Sequence, residues 1–474
     1  MKVYLRKIIS LGFVVLLAAV YPALSEIKAQ TPGRHPVIVG DFIQFPPFLA
    51  MSEDELDKHF LYLNEAGIKL LVLYCAVMQN PDGTYSVAYF PSETARANKG
   101  PGYAEHPQTM EKILKQCQKY GIQVFLTPMT NHEFWRTHGI RHPAEYKKFI
   151  NDSSVIAREL YDLYHEEYGD LFYGWYFCPE FSNYFSMYHG SPYLYDQAAE
   201  CLTLFFGEMT KIKPLKCMMS PYFVSRDPYS NAGETAESWA RILSAAEFET
   251  EMIFCPQDSV GAGLLKITEF VEYFKLLKDE IDKIPNVSLW SNPECFKQEN
   301  WTSAPITRYA YQLQAVAGYV EGYISFAYSH YYAPSFGSID EKRKYHDAYL
   351  HYKETGEITF FGDVEKPIVI LSTSVSNQVV VLTAEVSKCR NAVSHVEFYR
   401  GDELIGKEQV NWLDYSKETA IVKFNTPETT EGGTQSYSAM AYDFLLNPSE
   451  KTTVGLSPES NMQRRDGHGV TALP

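Results

Sequence analysis

The chain has 474 residues, too many for one small core, and its 42 Lys and Arg against 58 Asp and Glu leave a formal net charge of -16. A chain this acidic repels phosphate backbones, which argues against nucleic acid as a partner. It also carries no P-loop, no dinucleotide fingerprint and no G-x-S-x-G elbow, so nucleotide chemistry and a serine nucleophile have no motif to stand on.

At the N-terminus, Lys2, Arg6 and Lys7 precede an apolar run from Ile8 to Leu24, and Ala23-Leu24-Ser25 supplies the small residues of a cleavage site. Residues 1–25 are therefore expected to be a signal peptide. A membrane anchor is the weaker alternative, because Ser10, Gly12 and Pro22 interrupt the run and a span needs about 20 apolar residues. The first cysteine is Cys75, so there is no lipobox, and a periplasmic or secreted protein without a stable membrane anchor is expected. Losing Lys2, Arg6 and Lys7 with the leader takes the charge from -16 to -19. The eight cysteines form no CxxC pair and no metal-type spacing, and those at 75, 178, 217 and 255 lie in apolar segments, where free Cys packs as a small hydrophobe. Few or no disulfides are expected. The 35 tyrosines belong either to the core or to a surface that stacks on sugar rings.

Short apolar and β-branched runs then alternate with amphipathic ones. The strand candidates are Val37 to Phe42, Lys69 to Ala76, Ile122 to Thr127, Phe172 to Cys178, Lys216 to Pro221, Glu251 to Pro256, Val287 to Ser291 and Tyr319 to Ala327. Helical patterns separate them: Ser52 to Ala66 with a Ser-x-x-Glu capping box, His106 to Tyr120, Pro143 to Tyr168, Tyr193 to Lys211, Glu234 to Ala246, Leu264 to Lys283, Ala304 to Gly318 and Asp340 to Tyr352. Eight βα repeats over about 320 residues predict a (β/α)8 TIM barrel over 31–357, with a doubly wound open sheet as the alternative. Composition changes at Glu354-Thr355-Gly356-Glu357, and two-residue alternation follows in Pro367 to Thr373, Gln378 to Val386, His395 to Tyr399 and Thr419 to Phe424. This predicts a small all-β sandwich over 362–456, and the polar tail 457–474 is expected to be disordered. The stretch "VEFYRGDELIG" resembles the immunoglobulin-like accessory modules of secreted bacterial polysaccharide enzymes.

In a barrel the chemistry lies at the C-terminal ends of the strands. Asp41 ends the first strand candidate, Asn131-His132-Glu133-Phe134-Trp135 follows the third, and Tyr176 and Glu180 close the fourth. Tyr222 follows the fifth, Gln257 and Asp258 the sixth, Glu294 and then Trp301 the seventh, and Tyr328 and His330 the eighth. Pro179-Glu180-Phe181 and Pro293-Glu294-Cys295-Phe296 match one another: a proline cannot extend a ladder, so it stops each strand and fixes where the glutamate points. A pair of carboxyls is what glycoside hydrolysis needs, one to protonate the leaving oxygen and one to attack the sugar or activate water.

The layout is similar to the large clan of retaining glycosidases on this barrel, where an acid/base glutamate ends strand four and a nucleophile glutamate ends strand seven. That resemblance implies Glu180 as acid/base, its pKa raised by Tyr176 and Phe181, and Glu294 as nucleophile, held ionised by polar neighbours. Where that clan usually has Asn before its acid, this chain has Pro179. More closely, "GWYFCPE", "CPQDSVGAG" and "LWSNPECF", in this order and spacing, resemble an exported Bacteroidetes barrel family of the domain of unknown function 4434 type, over roughly 35–355. Glycosidase activity is suspected of that family, and it implies no assigned substrate.

Other readings stay open. Glu180 and Glu294 could instead cap helices or pair with a rim Arg, and Asp258 could bind sugar hydroxyls, serve as an inverting carboxylate or merely cap a turn. Gln257, Asp41, His132, Glu133, Trp135, Tyr176, Tyr222, Trp301, Tyr328 and His330 are candidate substrate-binding residues. His132 and Glu133 without an H-E-x-x-H pattern make a weak metal set, so neither metal nor cofactor is expected. The expected partner is an oligo- or polysaccharide, with a non-catalytic glycan-binding barrel as the competing function.

Overall fold

The structure, a computed structural model, describes residues 35–131, 142–183, 192–225, 230–267, 269–298, 301–336, 339–358, 366–376, 379–387, 389, 393–410, 419–427, 435–443 and 448–456. The expected leader, the tail from 457, and His132, Glu133 and Trp135 lie outside them. No helix among the described residues is long and apolar enough to cross a membrane.

Eight parallel strands form the first sheet: β1 (Gly40–Gln44), β2 (Leu70–Tyr74), β3 (Gln123–Leu126), β4 (Phe172–Phe177), β5 (Lys216–Met219), β6 (Met252–Phe254), β7 (Val287–Leu289) and β8 (Ile324–Ser325). Their order is β7-β6-β5-β4-β3-β2-β1-β8. The edges meet: Ser291, just past β7, pairs with Tyr323 beside β8, through Ser291 N–H on Gly322 O at 3.0 Å and Ile324 N–H on Ser291 O at 3.0 Å. The sheet is therefore a closed TIM barrel, and the open doubly wound alternative falls away. Eight helices alternate with the strands: α1 (Glu53–Ala66), α2 (Thr109–Tyr120), α3 (Pro143–Tyr168), α4 (Pro192–Ile212), α5 (Ala232–Ala245), α6 (Phe270–Ile281), α7 (Ile306–Ala315) and α8 (Ile339–Thr355).

Local sequence accounts for these elements. Ser52 and Glu55 form the expected capping box at the start of α1, and Gly67 ends that helix at φ 89, where a Cβ would be strained. Strand eight is much shorter than its apolar run, because Tyr319 is held in a turn by its N–H on Val316 O and the chain first meets β7 at Glu321, whose N–H donates to Leu289 O at 2.9 Å. A second sheet, which the strand pattern did not foresee, starts three residues after β2 and after β3. It comprises Lys99–Glu105, Tyr85–Ala88, Val77–Gln79 and Met129–Asn131, in that order. All eight cysteines are buried.

C-terminal to the barrel the described residues hold seven more strands: β9 (Val369–Ser376), β10 (Val379–Ser387), β11 (Val393–Arg400), β12 (Glu403–Gln409), β13 (Thr419–Pro427), β14 (Gln435–Asp443) and β15 (Thr452–Leu456). They make two antiparallel sheets, β9-β10-β13 and β12-β11-β14-β15. Phe398 of one and Phe424 of the other stack at 5.4 Å, and Thr452 Oγ1 donates to Val369 O at 2.7 Å, so the two sheets face each other. The Gly401-Asp402 turn expected from sequence joins β11 to β12, with Gly401 at φ 59.

Candidate active site

Strands β4, β6 and β7 end on Pro179-Glu180, Pro256-Gln257-Asp258 and Pro293-Glu294, which meet at the same end of the barrel. Gln257 pairs with Asn292 in a parallel bridge beyond the named strands, and Glu294 pairs with Phe326 beyond β8 in the same way. These short extensions place the acids on backbone that is still part of the sheet, with little freedom to wander.

Glu180 is half-buried. Gln257 Nε2 donates to its Oε1 at 3.0 Å and also to Ser220 O at 3.1 Å, so the amide is held at both ends of its reach. Burial pushes the Glu180 carboxyl up to about 7, against the lowering effect of that hydrogen bond. Such a group is about half protonated at neutral pH.

Glu294 is only 2% exposed. Its Oε2 accepts the Ala262 N–H at 2.7 Å, and its own N–H donates to Asp258 Oδ1 at 3.4 Å. From α7, the fully buried Arg308 donates Nη2 to Glu294 O at 2.9 Å and also to Phe296 O. Gln312, one turn further along α7, donates to Glu294 O at 3.2 Å and to Asp258 Oδ2. Burial and the neighbouring Asp258 push Glu294 up to about 8, with the Ala262 N–H and Arg308 pulling the other way. The expectation that polar neighbours hold Glu294 ionised thus meets an opposing effect. Its surroundings are dry and share one guanidinium with Asp258, which burial raises to about 6.

Other sequence candidates separate by burial. Trp301 is 60% exposed on the hairpin that follows Glu294, with φ 53 and its ring stacked on Phe296 at 5.5 Å. Tyr222 and His330 are half-buried at the ends of β5 and β8, His330 with its ring on Phe336 at 5.7 Å. Tyr176 lies beneath the rim, 2% exposed, its ring edge-on to Phe42 at 5.4 Å. Three candidates lie in the interior. Asp41 has no exposure and accepts the N–H groups of Tyr328 at 2.6 Å and Ser329 at 2.7 Å, so it caps the short helix Tyr328–Tyr331 and does not line a cleft. Tyr328 is equally buried, its hydroxyl 2.8 Å from His346 Nδ1. Asp258 has no exposure, and its carboxylate accepts the N–H groups of Val260 and Glu294 and the side-chain amide of Gln312.

Sequence reasoning missed Arg308 and Gln312, an i, i+4 pair inside the expected helix Ala304 to Gly318, and it missed the N–H of Ala262, which no side-chain pattern reveals. Asn292 was visible in "SNPECF". Its Nδ2 donates to Ser220 Oγ at 2.8 Å, and its buried Oδ1 has no partner among the described residues.

Comparison with solved structures finds barrels of similar fold. A Bacteroides thetaiotaomicron protein described as a "putative alpha-L-fucosidase" aligns with a TM-score of 0.54 at 17% identity, over 68% of this chain and 96% of that one. The family 1 beta-glucosidase of Thermotoga maritima in complex with isofagomine lactam aligns with a TM-score of 0.39 at 11% identity, over 69% of this chain and 99% of that one. Endo-glycoceramidase II from Rhodococcus sp. gives 0.37 at 11% identity, over 85% and 99%. At these identities the first likeness is one of fold, and the other two are weaker still. No curated protein matches the sequence. The model of the domain of unknown function DUF4434 matches residues 38–338, well over half the chain and nearly all of the barrel, and the chain belongs to that family.

Proposed function

We propose that this protein is an exported glycoside hydrolase that cleaves a glycan with retention of configuration, Glu180 acting as acid/base and Glu294 as nucleophile. The observation that carries the reading is the pairing itself: two glutamates, each following a strand-stopping proline, at the ends of β4 and β7, each with its proton affinity raised by burial. Protonated Glu180 gives its proton to the glycosidic oxygen as that bond to the anomeric carbon breaks, and the Glu294 carboxylate forms the new bond to that carbon. Water then attacks the glycosyl ester, losing its proton to Glu180 and freeing Glu294. A pair that together holds one proton is in the right state for the first step. Burial gives Glu294 the higher proton affinity of the two, so the productive arrangement, with the proton on Glu180 and Glu294 ionised, is the tautomer of the singly protonated pair that the Ala262 N–H and Arg308 favour. The seven C-terminal strands are read as an immunoglobulin-like accessory module.

A reducing-sugar screen over plant, host and microbial glycans, run beside Glu180→Gln and Glu294→Gln, tests the assignment. Each variant is expected to lose about 10²- to 10⁴-fold in kcat, and NMR of the first anomer released reads retention. Glycan binding by the wild type with no product, undiminished in both variants, would replace the enzyme with a binding protein.

A further inference from the structure

The turn that follows β6, Gln257-Asp258-Ser259-Val260-Gly261-Ala262, touches both glutamates: its first side chain donates to Glu180 Oε1 and its last N–H donates to Glu294 Oε2. Such a turn does not form without help. Ser259 stands at φ 56, a left-handed conformation that is unfavourable for a residue with a Cβ. Three sets of hydrogen bonds hold it there. Asp258 Oδ1 accepts the N–H of Val260 at 3.1 Å, Ser259 Oγ accepts the N–H of Phe223 at 3.0 Å, and Ser259 O accepts those of Leu264 at 2.9 Å and Leu265 at 3.1 Å. Asp258 Oδ1 also reaches the Glu294 N–H, while its Oδ2 is held by Gln312, so one buried carboxylate joins the turn, the end of β7 and α7. Gly261 lies against Glu294 where no Cβ fits.

We propose that this turn is the positioning element of the carboxylate pair, with Asp258 its buried anchor: it fixes Oε1 of Glu180 and Oε2 of Glu294, and so selects the other oxygen of each for the substrate. The proposal rests on Glu180 and Glu294 being the reacting pair. It moves Asp258 from substrate contact to a positioning role, with two effects. One is orientation, since misplacing a reacting group by about 1 Å costs on the order of 10²-fold in rate. The other is charge. The titratable groups facing Glu294 are Asp258 from the end of β6, Glu180 from the end of β4, Arg308 from α7 and Tyr331 from the helix after β8. Removing the Asp258 charge leaves the Arg308 guanidinium to favour ionised Glu294, whereas removing the Gln257 amide takes a donor from ionised Glu180.

The test is a carbon-13 NMR titration of the full chain carrying glutamate labelled at the side-chain carboxyl, with Glu180→Gln and Glu294→Gln assigning the two signals. Asp258→Asn is expected to lower the Glu294 midpoint by about one pH unit or more, a tenfold change in proton affinity, and to leave Glu180 in place. Gln257→Leu, at a half-buried position that is not expected to disturb folding, should raise the Glu180 midpoint and leave Glu294 in place. In kinetics, Asp258→Asn should lower kcat far more than it changes KM and move the pH profile toward acid, which a merely structural role would not do. Midpoints that stay put in both variants overturn the proposal. A wild type that hydrolyses no glycan, with midpoints that move as stated, counts against the reaction and leaves the turn's hold on the two carboxyls supported.

Discussion

Replacing Gly261 by Ala adds one methyl group at the contact between the turn and Glu294. Its backbone is not left-handed, so alanine is free of φ strain there and the effect is steric alone. The new Cβ would lie 2.6 Å from Phe296 O, 2.7 Å from Glu294 Cβ and 3.0 Å from Glu294 Oε2. Ordinary contact begins at 3.4 Å, so Glu294 must retreat by about 0.7 Å or the turn must swing outward. Phe296 O has little room to yield, because Arg308 holds it, and either movement lengthens the Ala262 N–H bond to Glu294. Overpacking of this kind costs about 1–3 kcal/mol in stability, and the displaced carboxylate should lose on the order of 10²-fold in kcat. Urea unfolding reads the first quantity, and initial rates on a glycan that the wild type cleaves read the second. A variant that unfolds at the wild-type midpoint and turns over at the wild-type rate would refute the close approach of the turn to Glu294.

The reaction needs one proton on the pair, and burial puts Glu180 at about 7 and Glu294 at about 8. Falling pH adds the second proton and removes the nucleophile, and rising pH strips the last one and removes the acid. A plot of kcat/KM against pH should therefore be bell-shaped with its maximum between about 7 and about 8, the two limbs belonging to the pair; a plateau extending down to the ordinary Glu value of about 4.3 would contradict it. His59 makes a stability prediction. It is fully buried among Phe48, Phe60 and Phe336, neither ring nitrogen has a hydrogen-bond partner among the described residues, and burial lowers it to about 3. Because the unfolded chain takes up this proton near 6.5 and the folded one does not, stability is full above 6.5 and is lost as pH falls toward 3. At about 1.4 kcal/mol per pH unit, His59→Phe should gain about 2 kcal/mol relative to the wild type between pH 7 and pH 5 in urea unfolding. An unchanged gap between the two proteins would show that His59 is solvated.

The barrel was legible because each strand is a short apolar run and each helix an amphipathic one, and these periods survive in sequence. Helix α3 was expected from Pro143 to Tyr168 and runs there. The second sheet was not legible. Asn80-Pro81-Asp82-Gly83 signals a turn, but the strands on either side are of three and four residues, and one of them pairs with Met129–Asn131 from the loop after β3. A partner so distant in the chain leaves no local period.

For the site, the sequence by itself determined that two glutamates follow prolines at corresponding strand ends, because the covalent order Pro-Glu and the strand-stopping chemistry of proline are local properties. Tertiary structure alone decided which other groups reach them. Asp41, Asp258 and Glu294 all look alike as acids at strand ends, yet Asp41 caps a helix and Asp258 anchors a turn. Hydrogen bonds from residues far along the chain, such as Gln312 to Asp258 and Ala262 to Glu294, set these surroundings. A carboxylate's proton affinity depends on the water excluded and the charges gathered around it, and both exist only once the barrel has closed.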